Sequence, residues 1–364
     1  MGNQDLIQEK AFKVIDHRTG LAMSMGSGKT RIAIKHMLDG FDPLMEVLVV
    51  APKKSIFQSW IDEIDKMECY ELKNHITFST YLSLNKQDPE AFTFVYLDEC
   101  HSLLESHESF LSLYKGGILG LTGTPPDRKG SEKYKMVQKY CPIKFEFSVD
   151  DATDKKIVND YRIIIHTLQL SKVPNYQKNT KNGGKWFTSE QKDYEYITKA
   201  YTLAQTQKER QFLALMRMRA LMDYKTKELY MKGLINNINS KCLIFANTHK
   251  QADRVCTHSY HSGNSDSDYN FELFCDGRIN KMSCVLQLSE GVNIPDLKQG
   301  IIMHAYGNNR KTAQRIGRLL RLNPNDRATC HILCYAGTVD ETWVNNAVKE
   351  FDQKKITYYN PLKL

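Results

Sequence analysis

LAMSMGSGKTRIAI, residues 21–34, sets the reading of the whole chain. An apolar run ends in a glycine-rich turn, and Lys29 and Thr30 follow directly before an amphipathic helical stretch. Gly26 and Gly28 let backbone N–H groups turn toward a phosphate with no Cβ in the way, and the start of the helix adds the positive end of its dipole. In such a loop Lys29 reaches β- and γ-phosphates and the Thr30 hydroxyl ligates Mg²⁺. The pattern GxxxxGK[ST] is missed at its first position, where Met23 stands.

Working outward, VLVVAP (47–52), FTFVYLDE (92–99) and GILGLTGT (117–124) are short apolar runs separated by amphipathic stretches. That alternation predicts a parallel α/β sheet, whose ligands bind at the C-terminal strand ends. YLDECH (96–101) ends a buried strand in two adjacent carboxylates. At that edge Asp98 is suited to the Mg²⁺ shell and Glu99 to polarising a water. A second set of predicted strands comprises YRIIIHTLQL (161–170), KCLIFAN (241–247), FELFC (271–275), MSCVLQL (282–288), GIIMHA (300–305) and ATCHILCY (328–335). They predict a second α/β domain. Between the two sets, NYQKNTKNGGKW (175–186) has the composition of a loop, and 189–236 reads as one long helix or two successive ones.

The length of 364 residues suits two domains, and 41% hydrophobic with 25% charged residues describes a globular chain rather than a disordered one. No apolar run is long enough to span a membrane, and the N-terminus lacks a basic start followed by an apolar stretch, so the chain is expected to be cytoplasmic. Nine cysteines without a CxxC pair predict buried, reduced thiols rather than a disulfide framework or a structural metal; Cys330 and Cys334 read as core residues of one strand. Residues 1–150 carry 18 Lys and Arg against 21 Asp and Glu, whereas the rest carry 32 against 21. The surplus in 151–240 is either a surface for a phosphate backbone or a set of solvated lysines.

GSGKT (26–30), DECH (98–101), LTGTP (121–125), SEGVNIP (289–295) and QRIGRLLR (314–321) occur in the order and approximate spacing of superfamily 2 helicases and translocases. The resemblance spans nearly the whole chain, and QRIGRLLR is its most specific element. MGSGKT, VLVVAPKKSIFQSW (47–60) and LTGTP look like Swi/Snf-type translocases and phage recombination helicases, and Glu290-Gly291-Val292-Asn293 followed by Ile294-Pro295 is more similar to the phage and repair-helicase side. The resemblance implies two tandem RecA-like domains, 1–155 and 156–364, each a mainly parallel sheet flanked by helices, with a helical insertion at about 171–236 and ATP held between the domains.

By that resemblance Gly26, Ser27, Gly28, Lys29 and Thr30 hold the phosphates and Mg²⁺, with Asp98 and Glu99 serving metal and water. Gly291 and Asn293 complete the nucleotide set, and His101, Thr122, Gly123 and Thr124 couple nucleotide state to domain closure. Gln314 senses the γ-phosphate, and Arg318 and Arg321 stabilise transition-state charge. Arg315 is a third contributor or a helix-surface cation, and Gln8 reads adenine or is an ordinary solvated helix residue. Strand-facing positions map onto Pro52, Lys53, Lys54, Thr80, Tyr81, Asn247, Thr248 and the turn near Gly291, while Trp60 is expected in a core rather than on a base. The implied activity is a nucleic-acid-stimulated ATPase using ATP and Mg²⁺, acting as a monomer on DNA rather than RNA. Duplex translocation without strand separation and RNA unwinding are the alternatives.

Overall fold

The computed structural model describes the whole chain apart from residues 1, 25, 127, 158, 180–183, 286–293, 306–314, 317–325, 350 and 362–364. Contacts divide it into two compact units, the first made mainly of Met1–Asp160 and the second mainly of the residues from Tyr161 onward.

In the first unit the apolar runs become β1 (Arg18–Met23), β2 (Val47–Ala51), β3 (Ile76–Thr80), β4 (Phe94–Asp98), β5 (Gly117–Thr122) and β6 (Ile143–Phe147). They form one parallel sheet in the order β3-β2-β4-β5-β1-β6. Every residue of β2 and β5 is buried, as expected for strands covered on both faces. The covering helices are α1 (Asn3–Phe12), α2 (Lys29–Asp39), α3 (Ser55–Lys66), α4 (Glu108–Leu111), α5 (Glu132–Tyr140) and α6 (Val149–Asp154). On one face Leu48, Val50, Leu97 and Ile118 pack with Phe110, Met136 and Tyr140. Because the strands are parallel, β1, β2, β3, β4 and β5 all deliver their C-terminal residues to one edge, where the following loops meet.

The second unit begins with β7 (Asp160–Leu168), β8 (Pro174–Asn179) and β9 (Lys185–Ser189), followed by α7 (Glu190–Leu203), α8 (Gln207–Asp223) and α9 (Lys225–Asn236). Then come β10 (Cys242–Ala246), α10 (His249–Val255), β11 (Ser259–Tyr260), α11 (Ser267–Cys275), β12 (Lys281–Val285), β13 (Gln299–Ile302), β14 (Arg327–Tyr335), the helix Val339–Ala347 and β15 (Ile356–Tyr359). The main sheet has the order β11-β12-β10-β13-β14-β7-β15. Strands β11, β12, β10, β13 and β14 run parallel, as do β7 and β15. Cys330 and Cys334 both lie buried in β14.

Three local expectations are corrected. Residues 175–186 do not form a plain loop: β8 and β9 pair as an antiparallel hairpin. FELFC lies in α11, because Asn270 and Phe274, one helical turn apart, are the residues that face the core. The 189–236 stretch is three helices. The second starts at Thr206, whose hydroxyl accepts from Glu209 N–H at 3.2 Å, and Tyr224 in extended conformation separates the second from the third.

Candidate functional site

The turn after β1 shapes the first part of the site. Gly26 and Gly28 have φ of 79° and 88°, a region that L residues with a Cβ avoid, and Gly28 is the N-cap of α2. A Cβ on Gly28 would stand 2.2 Å from the Gln8 amide nitrogen. Gln8 itself is buried, and its Nε2 donates to the Ser27 carbonyl at 3.2 Å. Gln4 Nε2 donates to the Gly26 carbonyl at 3.3 Å, so α1 is clipped to the loop at two points. Gln8 is therefore not a solvated helix residue. Its Oε1 is buried and accepts no hydrogen bond among the described residues. Ser27 is buried with its hydroxyl donated to the Ser24 carbonyl at 2.6 Å. Lys29 Nζ donates to the Met23 and Ser24 carbonyls at 2.9 and 3.2 Å, and Thr30 lies in the first turn of α2.

The second part stands at the end of β4. Asp98 Oδ1 accepts from Glu99 N–H at 2.9 Å, and Oδ2 accepts from the Trp60 indole N–H at 2.8 Å. Trp60 is fully buried in α3, as expected of a core residue, yet it also holds the carboxylate by an N–H that its hydrophobicity alone did not reveal. Glu99 sits at φ 49°, ψ 53°, a left-handed conformation that costs energy for a residue with a side chain and turns it out of the strand direction. Burial and the neighbouring Glu99 charge push Asp98 up to about 6. Burial, the largest influence on Glu99, works upward too, but the hydrogen bond and charge of His101, the Lys29 ammonium and the Gly123 N–H together hold it down at about 2. Lys29 thus acts electrostatically on both carboxylates, which brings the phosphate loop and the acidic pair together as one charged site.

The third part is the end of β5. His101 Nδ1 stands 2.9 Å from Thr122 Oγ1 and 3.3 Å from Glu99 Oε2. Thr122 Oγ1 in turn lies 3.5 Å from Glu99 Oε2 and accepts from Thr124 N–H at 3.1 Å. His101, Thr122, Gly123 and Thr124 therefore form one polar cluster around Glu99.

The strand-facing expectations divide. Pro52, Lys53 and Lys54 follow β2 at the same sheet edge, with both lysines exposed, and half-buried Thr80 ends β3. Tyr81 is corrected: its ring is buried and its hydroxyl donates to the Asp98 carbonyl at 2.9 Å, so the side chain braces the acidic loop rather than facing a strand. In the second unit Asn247 follows β10, and exposed Thr248 caps α10 by accepting from Gln251 N–H at 3.1 Å. Arg315 is buried, not a surface cation. Its Nη1 donates to the His304 carbonyl at 3.3 Å and its guanidinium lies 5.2 Å from the Phe245 ring centroid. Gly291, Asn293, Gln314, Arg318 and Arg321 lie outside the described residues.

Residues 6–127 match the family described as the res subunit of type III restriction enzymes, and residues 224–323 match the helicase conserved C-terminal domain. These two stretches are the two domains of a superfamily 2 helicase. Like other members it is an ATPase that couples hydrolysis to translocation on nucleic acid. It is 25% identical over 359 residues to the DNA 3'-5' translocase XPB2 of Sulfurisphaera tokodaii, covering 88% of this chain and 78% of that one. Among solved structures, the DNA-bound type ISP restriction-modification enzyme LlaBIII superposes with a TM-score of 0.63 at 15% identity, over 99% of this chain and 31% of that one. Dbp5 of S. cerevisiae, bound to RNA and ADP BeF3, gives 0.61 at 14% identity, over 97% and 89%. At these identities the two structures bear on the fold, which is that of tandem RecA-like helicase domains.

Proposed function

We propose that this chain is a DExH-type motor on DNA, in which Gly26, Ser27, Gly28, Lys29 and Thr30 hold the phosphates of ATP and Asp98 and Thr30 hold Mg²⁺. The observation that carries the reading is the convergence of Lys29, Asp98 and Glu99 at the C-terminal edge of one parallel sheet, with a single ammonium acting on the buried Asp98 and the half-buried Glu99. The donor set fits the group: glycine backbone, an ammonium and a helix N-terminus suit phosphates, and a carboxylate beside a threonine hydroxyl suits a hard cation. Bound Mg²⁺ supplies charge neutralisation at the phosphates. Glu99, ionised at neutral pH, polarises the attacking water and is steadied by His101 and Thr122. Gln8 offers its unsatisfied carbonyl oxygen to the exocyclic amine of adenine. Gln314, Arg318 and Arg321 supply γ-phosphate sensing and charge stabilisation, on the wording of their motif. Gly291 and Asn293 join them in the nucleotide set.

DNA is favoured over RNA by the similarity, over 88% of the chain, to a DNA translocase and by the excess of 32 basic over 21 acidic residues after position 150. Pro52, Lys53, Lys54, Thr80, Asn247 and Thr248 make the backbone contacts, which position a strand without reading its sequence. The motif wording supports a place near the phage recombination helicases and Swi/Snf-type translocases. Two assays divide unwinding from duplex translocation. Release of a triplex-forming strand without duplex opening identifies a translocase, whereas ATP-dependent displacement of a paired strand identifies a helicase. ATPase stimulated by RNA and not by DNA would overturn the substrate assignment.

A further inference from the structure

The β8–β9 hairpin forms a two-stranded sheet of its own. Its pairing sets Lys178 opposite Trp186 and Gln177 opposite Phe187. Side chains alternate between faces along a strand, so Tyr176, Lys178 and Trp186 share one face while Gln177, Lys185 and Phe187 share the other. The first face is turned to the helices: Tyr176 packs edge-on against Tyr224 at 5.0 Å, and Lys178 pairs with Asp193. The second face is open. Gln177 and Lys185 are exposed, and Phe187 leaves 60% of its surface in solvent. Trp186 at the sheet margin is itself 48% exposed.

An open aromatic ring is costly unless something covers it, and the surrounding charge says what. Residues 171–189 contain four lysines and no Asp or Glu. Lys178 is already paired with Asp193 on the covered face, but an aromatic ring beside Lys185, with no carboxylate on the open face, matches the chemistry of unpaired nucleic acid, whose bases stack while its phosphates seek cations. A duplex hides its base faces and offers nothing for Phe187 to stack on. We infer that the open face of this hairpin is a stacking platform for a single strand of nucleic acid, with Phe187 under a base and Lys185 on the adjoining phosphate. The inference rests on the nucleic-acid-motor reading and adds to it an element outside the helicase motifs.

Fluorescence anisotropy on the full chain, with labelled oligo(dT), oligo(U) and a blunt DNA duplex, tests it. The Phe187→Ala protein is expected to lose about tenfold or more in affinity for the single strand and nothing for the duplex. Phe187→Trp should restore the single-strand affinity. Lys185→Ala should lower the slope of log affinity against log salt on the single strand by about 0.7. The same loss on oligo(U) alone supports the platform and assigns it to RNA. Unchanged single-strand affinity in Phe187→Ala, or equal loss on single strand and duplex, overturns the platform while leaving the motor reading intact. A wild-type chain that binds none of the three probes and whose ATPase no polymer stimulates overturns both.

Discussion

Asp98 is held by two donors, one from its own backbone neighbour and one from Trp60. A charged hydrogen bond of this kind contributes about 1.5 to 3 kcal/mol. Trp60→Phe keeps an aromatic ring and removes the N–H, so kcat for ATP hydrolysis should fall about tenfold, with a raised Mg²⁺ requirement and a lowered Tm. An unaltered Mg²⁺ titration would show that Trp60 merely fills space. Gly28→Ala meets both a φ of 88° and the Gln8 amide at 2.2 Å, so it should displace α1 from the loop and weaken nucleotide binding, as titration with a fluorescent ATP analogue would report. The positions of Lys29 and Asp98 were legible in the sequence, because each begins or ends an element whose direction fixes where it points. Gln8 was not, since nothing in a short helix with only Ile7, Gln8 and Ala11 buried says which side docks.

The second unit carries an imidazole chain between elements. His166 on β7 lies 2.9 Å from His331 on β14, and the outer nitrogens meet Tyr230 Oη at 2.8 Å and Gln299 Oε1 at 3.2 Å. Burial, reinforced by His331 for His166 and by Arg162 for His331, pushes both rings down to about 4 from the ordinary 6.5. Unfolded chains take up these protons near 6.5 and the folded chain only near 4, so the stabilisation is full above 6.5 and is lost as pH falls between those values. The slope is roughly 1.4 kcal/mol per pH decade for each ring. Denaturant melts across that window should show the decline, and His331→Asn should roughly halve its slope. A second buried element, the Lys227 ammonium 2.5 Å from Asp340 Oδ2, predicts that Asp340→Ala costs about 3 to 5 kcal/mol by stranding the cation. An unaltered melting midpoint would count against that. Element boundaries were less legible than the strands. A five-residue window such as FELFC cannot separate a period of two from one of 3.6, whereas Thr206 followed by Glu209 was a capping signal and Asn182-Gly183 a hairpin signal hidden in loop-like composition.

Across the whole molecule, two parallel sheets followed from apolar runs that end in small or polar residues, and order along the chain was enough to place the phosphate loop, the acidic pair and LTGTP on one edge. Physical reading of the sequence could not say how those three are wired together, because the Glu99, His101 and Thr122 hydrogen bonds depend on a left-handed backbone at Glu99 that no propensity predicts. The charge imbalance between the first 150 residues and the rest predicts nucleic-acid affinity that falls steeply with salt. The most direct measurement is steady-state ATP hydrolysis at matched salt with no polymer, duplex DNA, branched DNA, single-stranded DNA and single-stranded RNA, using Lys29→Ala as the control. The account predicts hydrolysis that DNA stimulates and that Lys29→Ala abolishes without unfolding the protein. Hydrolysis indifferent to every polymer, or undiminished in the Lys29→Ala protein, would contradict it.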